Sequence, residues 1–272
     1  MCATLVGVPV RYVPTFLTNL RMSEISKQAR LDAIRVVLIG TSDSGNIGAA
    51  ARAMKTMGLS DLVLVKPRQF PSAKASARAS GATDLLESAP VYERVEDALS
   101  DCHLVLGASA RLRAITVPAD TPRAAAEQIA EMPSSARVAL LFGREKTGLT
   151  NAELDCCQRL IHIPANPDYS SLNLAMAVQV MAYEARIACL QPVVEQEEGV
   201  PPATQAAMEG FFEHLERGLI HLRYLRPENP RLLMRRMRRL FHRAAPDADE
   251  VNLLRGILTK IEQAKPPEYP GD

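Results

Sequence analysis

The chain has 272 residues, 47% of them hydrophobic and 23% charged, enough for one main domain with a sizeable core and something smaller attached. A formal net charge of +1 excludes a globally basic nucleic-acid coat, so any nucleic-acid surface must be local. No apolar run is long enough to cross a bilayer, the five cysteines show no paired framework or CxxC spacing, and the five histidines are scattered. These features predict a soluble protein of the reducing cytoplasm, with no membrane contact and no structural or catalytic metal.

Residues 1–21 carry Pro9, Arg11 and Pro14 and lack the basic start and cleavage site of a signal peptide. They are expected to be a disordered extension, with the folded domain running over 22–190. IRVVLI, from Ile34 to Ile39, reads as a buried parallel strand. The polar turn TSDSGNIG follows, then a helix over Ile47–Met57 that closes at Gly58, then a second strand over Leu62–Val65, making a βαβ unit. Further strands fit Leu104–Gly107, Val138–Phe142 and Leu160–Ile163, with helices at Val95–Leu99, Arg123–Glu131 and Asn151–Cys157. A helix follows from about Leu172 to Ile187, with Asp168, Ser170 and Ser171 as candidate N-caps, and it is too apolar to have an ordinary solvent face. This alternation predicts an α/β fold with a doubly wound, mostly parallel sheet, whose function lies at the carboxyl ends of the strands.

Residues 191–203 mix prolines, a glycine and acidic or amide side chains and read as a linker. A small all-α unit over 204–272 follows, with helices at Thr204–Tyr224, Arg231–Arg243 and Asp249–Ala264. Pro230 suits a first helical turn, and Asp247 with Glu250 has capping-box spacing. From Arg223 to Arg243 there are eight arginines against one acid, Glu228. Arg235, Arg236, Arg238 and Arg239 cannot share one face, yet so much local positive charge suits phosphate binding.

Three loops carry candidate chemistry. The turn Thr41–Gly48 fits neither GxGxxG nor GxxxxGK[ST]; within it Asn46 caps the next helix, and Arg52 lies about two turns further on. LLFGREKTGLTNAEL leaves a buried strand through Gly143, a residue that lets a ligand approach the backbone, and Gly148 and Thr150 turn it into a helix. Glu145 is either an exposed charge or a carboxylate beside a bound cation. The third loop, from Pro164 to Ser171, opens the apolar helix.

Together NIGAAARAMKTMG, LLFGREKTGLTNAEL and IPANPDYSSLNLAMAVQVMAYEAR resemble, in order and spacing, the three motifs of the SpoU branch of the SPOUT RNA methyltransferases, over Ile34–Leu190. NPDYSSLNLAMAVQV and the helical extension are similar to the TrmJ-type members, which methylate a ribose 2′-hydroxyl of the tRNA anticodon loop; the resemblance implies cytidine or uridine 32 as the expected target. The resemblance implies a C-terminal trefoil knot, S-adenosylmethionine as cofactor and a homodimer. Its motifs carry cofactor binding to Ala108, Ser109, Ala110, Gly143, Ile163, Ser170, Ser171 and Leu172, with Ala108 standing where the family more often has threonine. They make Arg52 the catalytic residue, with Asn46 orienting the nucleotide and Glu145 and Asn173 at the RNA side of the pocket. Arg235, Arg236 and Arg239 are then candidates to hold the tRNA body. Three other readings remain: an rRNA methyltransferase of the same family, a non-catalytic RNA-binding protein, and a Rossmann oxidoreductase in which Lys66 and Arg68 read an NADP phosphate. The last has the wrong glycine spacing.

Overall fold

Alternate residues of a strand face opposite ways, so a run such as IRVVLI is stable only where both faces are covered. The computed structural model, which describes residues 27–110, 118–191, 199–225 and 231–265, shows that arrangement. The expected extension over 1–21, most of the linker, Glu228 and Pro230 fall outside the described residues. Strands β1 (Ile34–Ile39), β2 (Asp61–Val65), β3 (Val91–Tyr92), β4 (Leu104–Ala108), β5 (Ala119–Asp120), β6 (Val138–Phe142) and β7 (Arg159–Ile161) form one sheet. Their order is β3-β2-β1-β6-β4-β7-β5, and every pairing is parallel.

Helices α1 (Ser44–Met57), α2 (Ala73–Ala79), α3 (Thr83–Ser88), α5 (Pro122–Glu131) and α7 (Leu174–Leu190) cover one face, over Val36, Leu38, Leu140 and Phe142. Helices α4 (Val95–Leu99) and α6 (Asn151–Asp155) cover the other, over Val37, Ile39, Ala139 and Leu141. The expected doubly wound sheet is therefore present.

The structure corrects several local expectations. The N-cap of α1 is Asp43, whose carboxylate accepts from Gly45 N at 2.8 Å, and Asn46 lies inside the first turn. The N-cap of α7 is Asn173, accepting from Ala175 N at 2.9 Å; Asp168, Ser170 and Ser171 all precede it in the loop. The strand expected to reach Ile163 stops at Ile161. Helices α2 and α3 and the two-residue strands β3 and β5 were not anticipated. Helix α2 buries only Ala75 and Ala79, and packs so closely on α1 that a Cβ on Gly48 would lie 2.0 Å from Ala75 O. Gly48 is thus a helix-contact glycine, and so small an apolar stripe carries little periodic signal.

The C-terminal helices α8 (Gln205–His221), α9 (Arg231–Ala244) and α10 (Ala248–Gln263) build their own core around Met208, Phe211, Phe212, Val251 and Leu258. The expected capping box between Asp247 and Glu250 is formed. Two N–H groups at the start of α8 that have no partner within the helix are satisfied by the sheet domain: Gln205 N donates to Cys102 O at 2.7 Å and Ala206 N to Ser100 O at 3.1 Å. Arg235 adds an ion pair to Asp155 at 3.1 Å. Since Ser100 and Cys102 precede β4 and Asp155 precedes β7, the helical unit sits at the amino end of the sheet. No helix among the described residues is long and apolar enough to cross a membrane.

Candidate functional site

Strands β6, β4 and β7 are neighbours, so the loops leaving their carboxyl ends are forced together. They enclose a cavity of ≈ 240 Å³. Ala108, Ser109, Ala110, Gly143, Ile163, Ser170, Ser171 and Leu172 all line it, so the eight residues named from three separate stretches of sequence share one space. Ser109 N donates to Ile161 O at 2.9 Å, tying the β4 loop to the end of β7.

The β6 loop is built to be rigid. Arg144 and Gly148 exchange backbone hydrogen bonds of 3.3 and 2.8 Å, with Gly148 at φ +67°. A Cβ on Gly143 would lie 2.3 Å from the Gly148–Leu149 peptide. Glycine is required there by the loop folding back on itself, whereas the sequence suggested the approach of a ligand. Arg144 forks onto Glu153 with two contacts of 3.0 Å, and Glu153 closes a capping box with Thr150.

Glu145 has no need of a bound cation. Its carboxylate accepts from Ser42 N, Ser42 Oγ, Asp43 N and Asn46 Nδ2, all within 2.8–3.2 Å, and so clasps the start of α1. Burial pushes its pKa up, but the N–H donors of its own loop, Ser42 and Asp43, with the Asn46 amide, bring it down to about 2. Asn46 Oδ1 in turn accepts from Asn173 Nδ2 at 2.9 Å. Neither asparagine lines the cavity, but this chain fixes both to its wall. Arg52 is exposed on α1, nearly two turns beyond Asn46 and outside the cavity.

The arginines divide by face. Arg235 is engaged by Asp155, and Arg238 forks onto Glu209 at 2.5 and 2.7 Å and lies over the Phe212 ring. Arg236 and Arg239 line a second cavity at the other end of the sheet. Sequence reasoning missed Arg144, Lys146, Thr147 and Leu149 in the first cavity, and Ser42 and Asp43 as the partners of Glu145. The only signal for the first group was membership of the same loop as Gly143.

The first cavity fits a cofactor with a flat ring, a sugar and a charged tail. Phe142, Leu149, Leu174 and Ala177 supply an apolar wall, Ser109, Thr147, Ser170 and Ser171 supply hydroxyls, and the loops supply peptide groups. Residues 33–183 match the sequence profile described as the SpoU rRNA Methylase family, and residues 206–269 match that of the tRNA methyltransferase TrmJ, C-terminal domain. The chain is 48% identical over 244 residues to the tRNA (cytidine/uridine-2′-O-)-methyltransferase TrmJ of Sodalis glossinidius, covering 88% of this chain and 95% of the relative. It is 51% identical over 244 residues to the tRNA (cytidine/uridine/adenosine-2′-O-)-methyltransferase TrmJ of Pseudomonas aeruginosa, covering 86% and 95%. The crystal structure of TrmJ from Z. mobilis superposes with a TM-score of 0.74 at 36% identity, over 84% of this chain and 98% of that one. A profile match across most of the sheet domain, with relatives this similar over nearly their full length, establishes that the chain belongs to the SpoU methylase family.

Proposed function

We propose that this chain acts as a cytoplasmic homodimer that methylates the ribose 2′-hydroxyl of cytidine or uridine 32 in the tRNA anticodon loop, using S-adenosylmethionine. The reaction class, 2′-O-methylation of tRNA, is the one named for its relatives. Family membership leaves no place for the oxidoreductase reading, and Lys66 and Arg68, which follow β2, are absent from the cavity lining. The observation that carries the proposal is the convergence of the loops after β4, β6 and β7 on one cavity, with the helix that bears Arg52 tied to its wall through Asn46. On this reading the chain through the loop before α7 is threaded as the family's trefoil knot.

Ala108, Ser109, Ala110, Gly143, Ile163, Ser170, Ser171 and Leu172 would hold the cofactor, which supplies an electrophilic methyl group on a sulfonium. The protein's main task is then positioning, because an in-line transfer needs the ribose oxygen at near-contact distance. A guanidinium stays protonated in proteins and is a poor general base. Arg52 therefore grips a neighbouring phosphate and stabilises the developing alkoxide, and the proton leaves through phosphate or water. Asn46 orients the same nucleotide.

Dimerisation is supported by the outer face of α7. Met176, Tyr183 and Ile187 are 61%, 49% and 40% exposed along one stripe of the helix, an apolar surface suited to a second copy. Arg52, on the neighbouring helix α1, would then serve the cavity of the partner subunit.

The test is methyl incorporation into tRNA from a strain lacking the enzyme, with the modified nucleotide mapped and S-adenosylhomocysteine compared with NADP in thermal shift. Methylation of rRNA alone, or stabilisation by NADP alone, would overturn the reading. Arg52→Ala should abolish transfer. Near-normal rate in Arg52→Lys would show that the bidentate fork is dispensable.

A further inference from the structure

The second cavity, ≈ 730 Å³, lies in the seam between the helical unit and the amino ends of β4 and β7. Its sheet-side wall includes Leu104, Met132 and Gln158, and its other wall is one face of α9. Arg236, Arg239, Leu240 and Arg243 stand at i, i+3, i+4 and i+7, the spacing that brings side chains onto one helical stripe, and all four line the cavity. The three arginines are exposed. Arg235 and Arg238 belong to another stripe and are held by Asp155 and Glu209.

The charge around this space is one-sided. Arg159 lines it too, but its guanidinium is gripped by Asp120, with one contact of 2.6 Å. Among the described residues of the lining, Glu131 is the only acidic one. His103 accepts from Arg137 N, and His242 is half-buried with its ring against Phe212, desolvation and then Arg238 holding it neutral at physiological pH. A ladder of guanidiniums beside an apolar floor of Leu104, Met132 and Leu240 matches a nucleotide, with phosphates at the rim and the base inside.

We infer that this seam binds a single-stranded nucleotide of the RNA substrate, its phosphates on Arg236, Arg239 and Arg243 and its base against Leu240. This rests on the proposed RNA substrate and specifies where a second part of that RNA is held. The nucleotide bound here is a different one from the methylated nucleotide. The catalytic cavity of the same subunit lies at the opposite ends of the same strands, about 13 Å away along β4 alone. The seam thus acts as a remote grip, adding affinity and register without touching the reacting atoms.

The test uses the full-length protein with arginines 236, 239 and 243 replaced together by alanine (R236A/R239A/R243A). KM for tRNA should rise about tenfold or more, and the slope of log affinity against log salt should fall by about two. Turnover at saturating tRNA and the thermal shift with S-adenosylhomocysteine should be unchanged. A photo-crosslinking residue in place of Leu240 should capture one tRNA nucleotide, distinct from the methylated one. Unchanged KM and salt slope, or a crosslink at the methylated nucleotide, would overturn the inference. Filter binding of tRNA separates the two failures: if the wild type binds tRNA but methylates none, the catalytic reading falls, while the triple variant still tests the seam.

Discussion

Asn173 Nδ2 donates to Asn46 Oδ1 at 2.9 Å, joining the cap of α7 to the first turn of α1 across 127 positions of sequence. Each side-chain polar atom in this link holds one partner, and the second N–H of the Asn46 amide remains for a nucleotide. Asn173 Oδ1 holds Ala175 N, and Asn46 Nδ2 holds Glu145. Leu172, beside Asn173, and Arg144, beside Glu145, both line the first cavity. The link therefore fixes the helix carrying Arg52 to both walls of the first cavity.

Replacing Glu145 by Gln should damage transfer more than cofactor binding. The amide keeps one acceptor oxygen but puts an NH₂ group towards the Ser42 and Asp43 N–H donors, so the start of α1 must shift. A displacement of about 1 Å at a reacting group can cost on the order of 100-fold in rate. Turnover should fall by about 10- to 100-fold, with the thermal shift by S-adenosylhomocysteine retained. Equal loss of both would mean that Glu145 serves the cofactor directly.

The same carboxylate predicts an acid dependence with a defined sign. Its folded pKa, about 2, lies below its ordinary value of 4.5, so the clasp contributes its full stability above about pH 4.5. That contribution declines as pH falls below the ordinary value and is lost on passing through the folded one. The difference in melting temperature between wild type and Glu145→Gln should hold steady from pH 7 to 5 and narrow below about pH 4.5. A carboxyl resonance of Glu145 titrating near 4.5 would contradict the clasp.

How much of this was legible in the sequence depends on the kind of contact. The strands β1 and β6 stand out because both faces are buried, which leaves unbroken apolar runs such as IRVVLI and VALLF. The eight cavity residues were named through the resemblance of their motifs, and they sit at or just after the carboxyl ends of strands, where neighbouring strands bring them together. Asn46 and Asn173 were misread as to caps because Asp43 and Asn173 compete with several nearby Asp, Ser and Asn residues of equal local propensity, and tertiary contacts choose among them. The partners of Glu145 lie 99 to 103 positions away, and local pattern holds no trace of such a contact. The division of the arginines between two stripes follows helical spacing, but which stripe meets Asp155 and Glu209 is decided only by docking of α9.

His242 should make the helical unit acid-sensitive. Burial, then the nearby charge of Arg238, lowers its pKa to about 4, and its Nε2 is buried without a hydrogen-bond partner. The unfolded chain takes up a proton below about pH 6.5, but the folded one does not until about pH 4, so stability falls as pH drops through that window. His242→Phe removes the titration and keeps an aromatic ring against Phe212. Its melting temperature relative to wild type should be higher at pH 5 than at pH 7.5. An identical difference at both would show that His242 is not neutral when folded.

Whether Arg52 serves its own cavity or the partner's can be decided by mixing two inactive variants. Arg52→Ala leaves the cavity intact, and Ala177→Phe fills the cavity from α7 but leaves Arg52 intact. If each site combines Arg52 of one subunit with the cavity of the other, a mixed dimer contains one site with both parts intact and one with neither. Random pairing makes about half of the dimers mixed, so the refolded mixture should recover about one quarter of wild-type activity. If both parts come from one chain, every site in every dimer lacks one part, and the mixture stays inactive. Met176→Asp, which puts a charge in the exposed stripe of α7, should leave a folded monomer by sedimentation and abolish recovery in the trans case. Full activity in that monomer would remove the need for a second subunit.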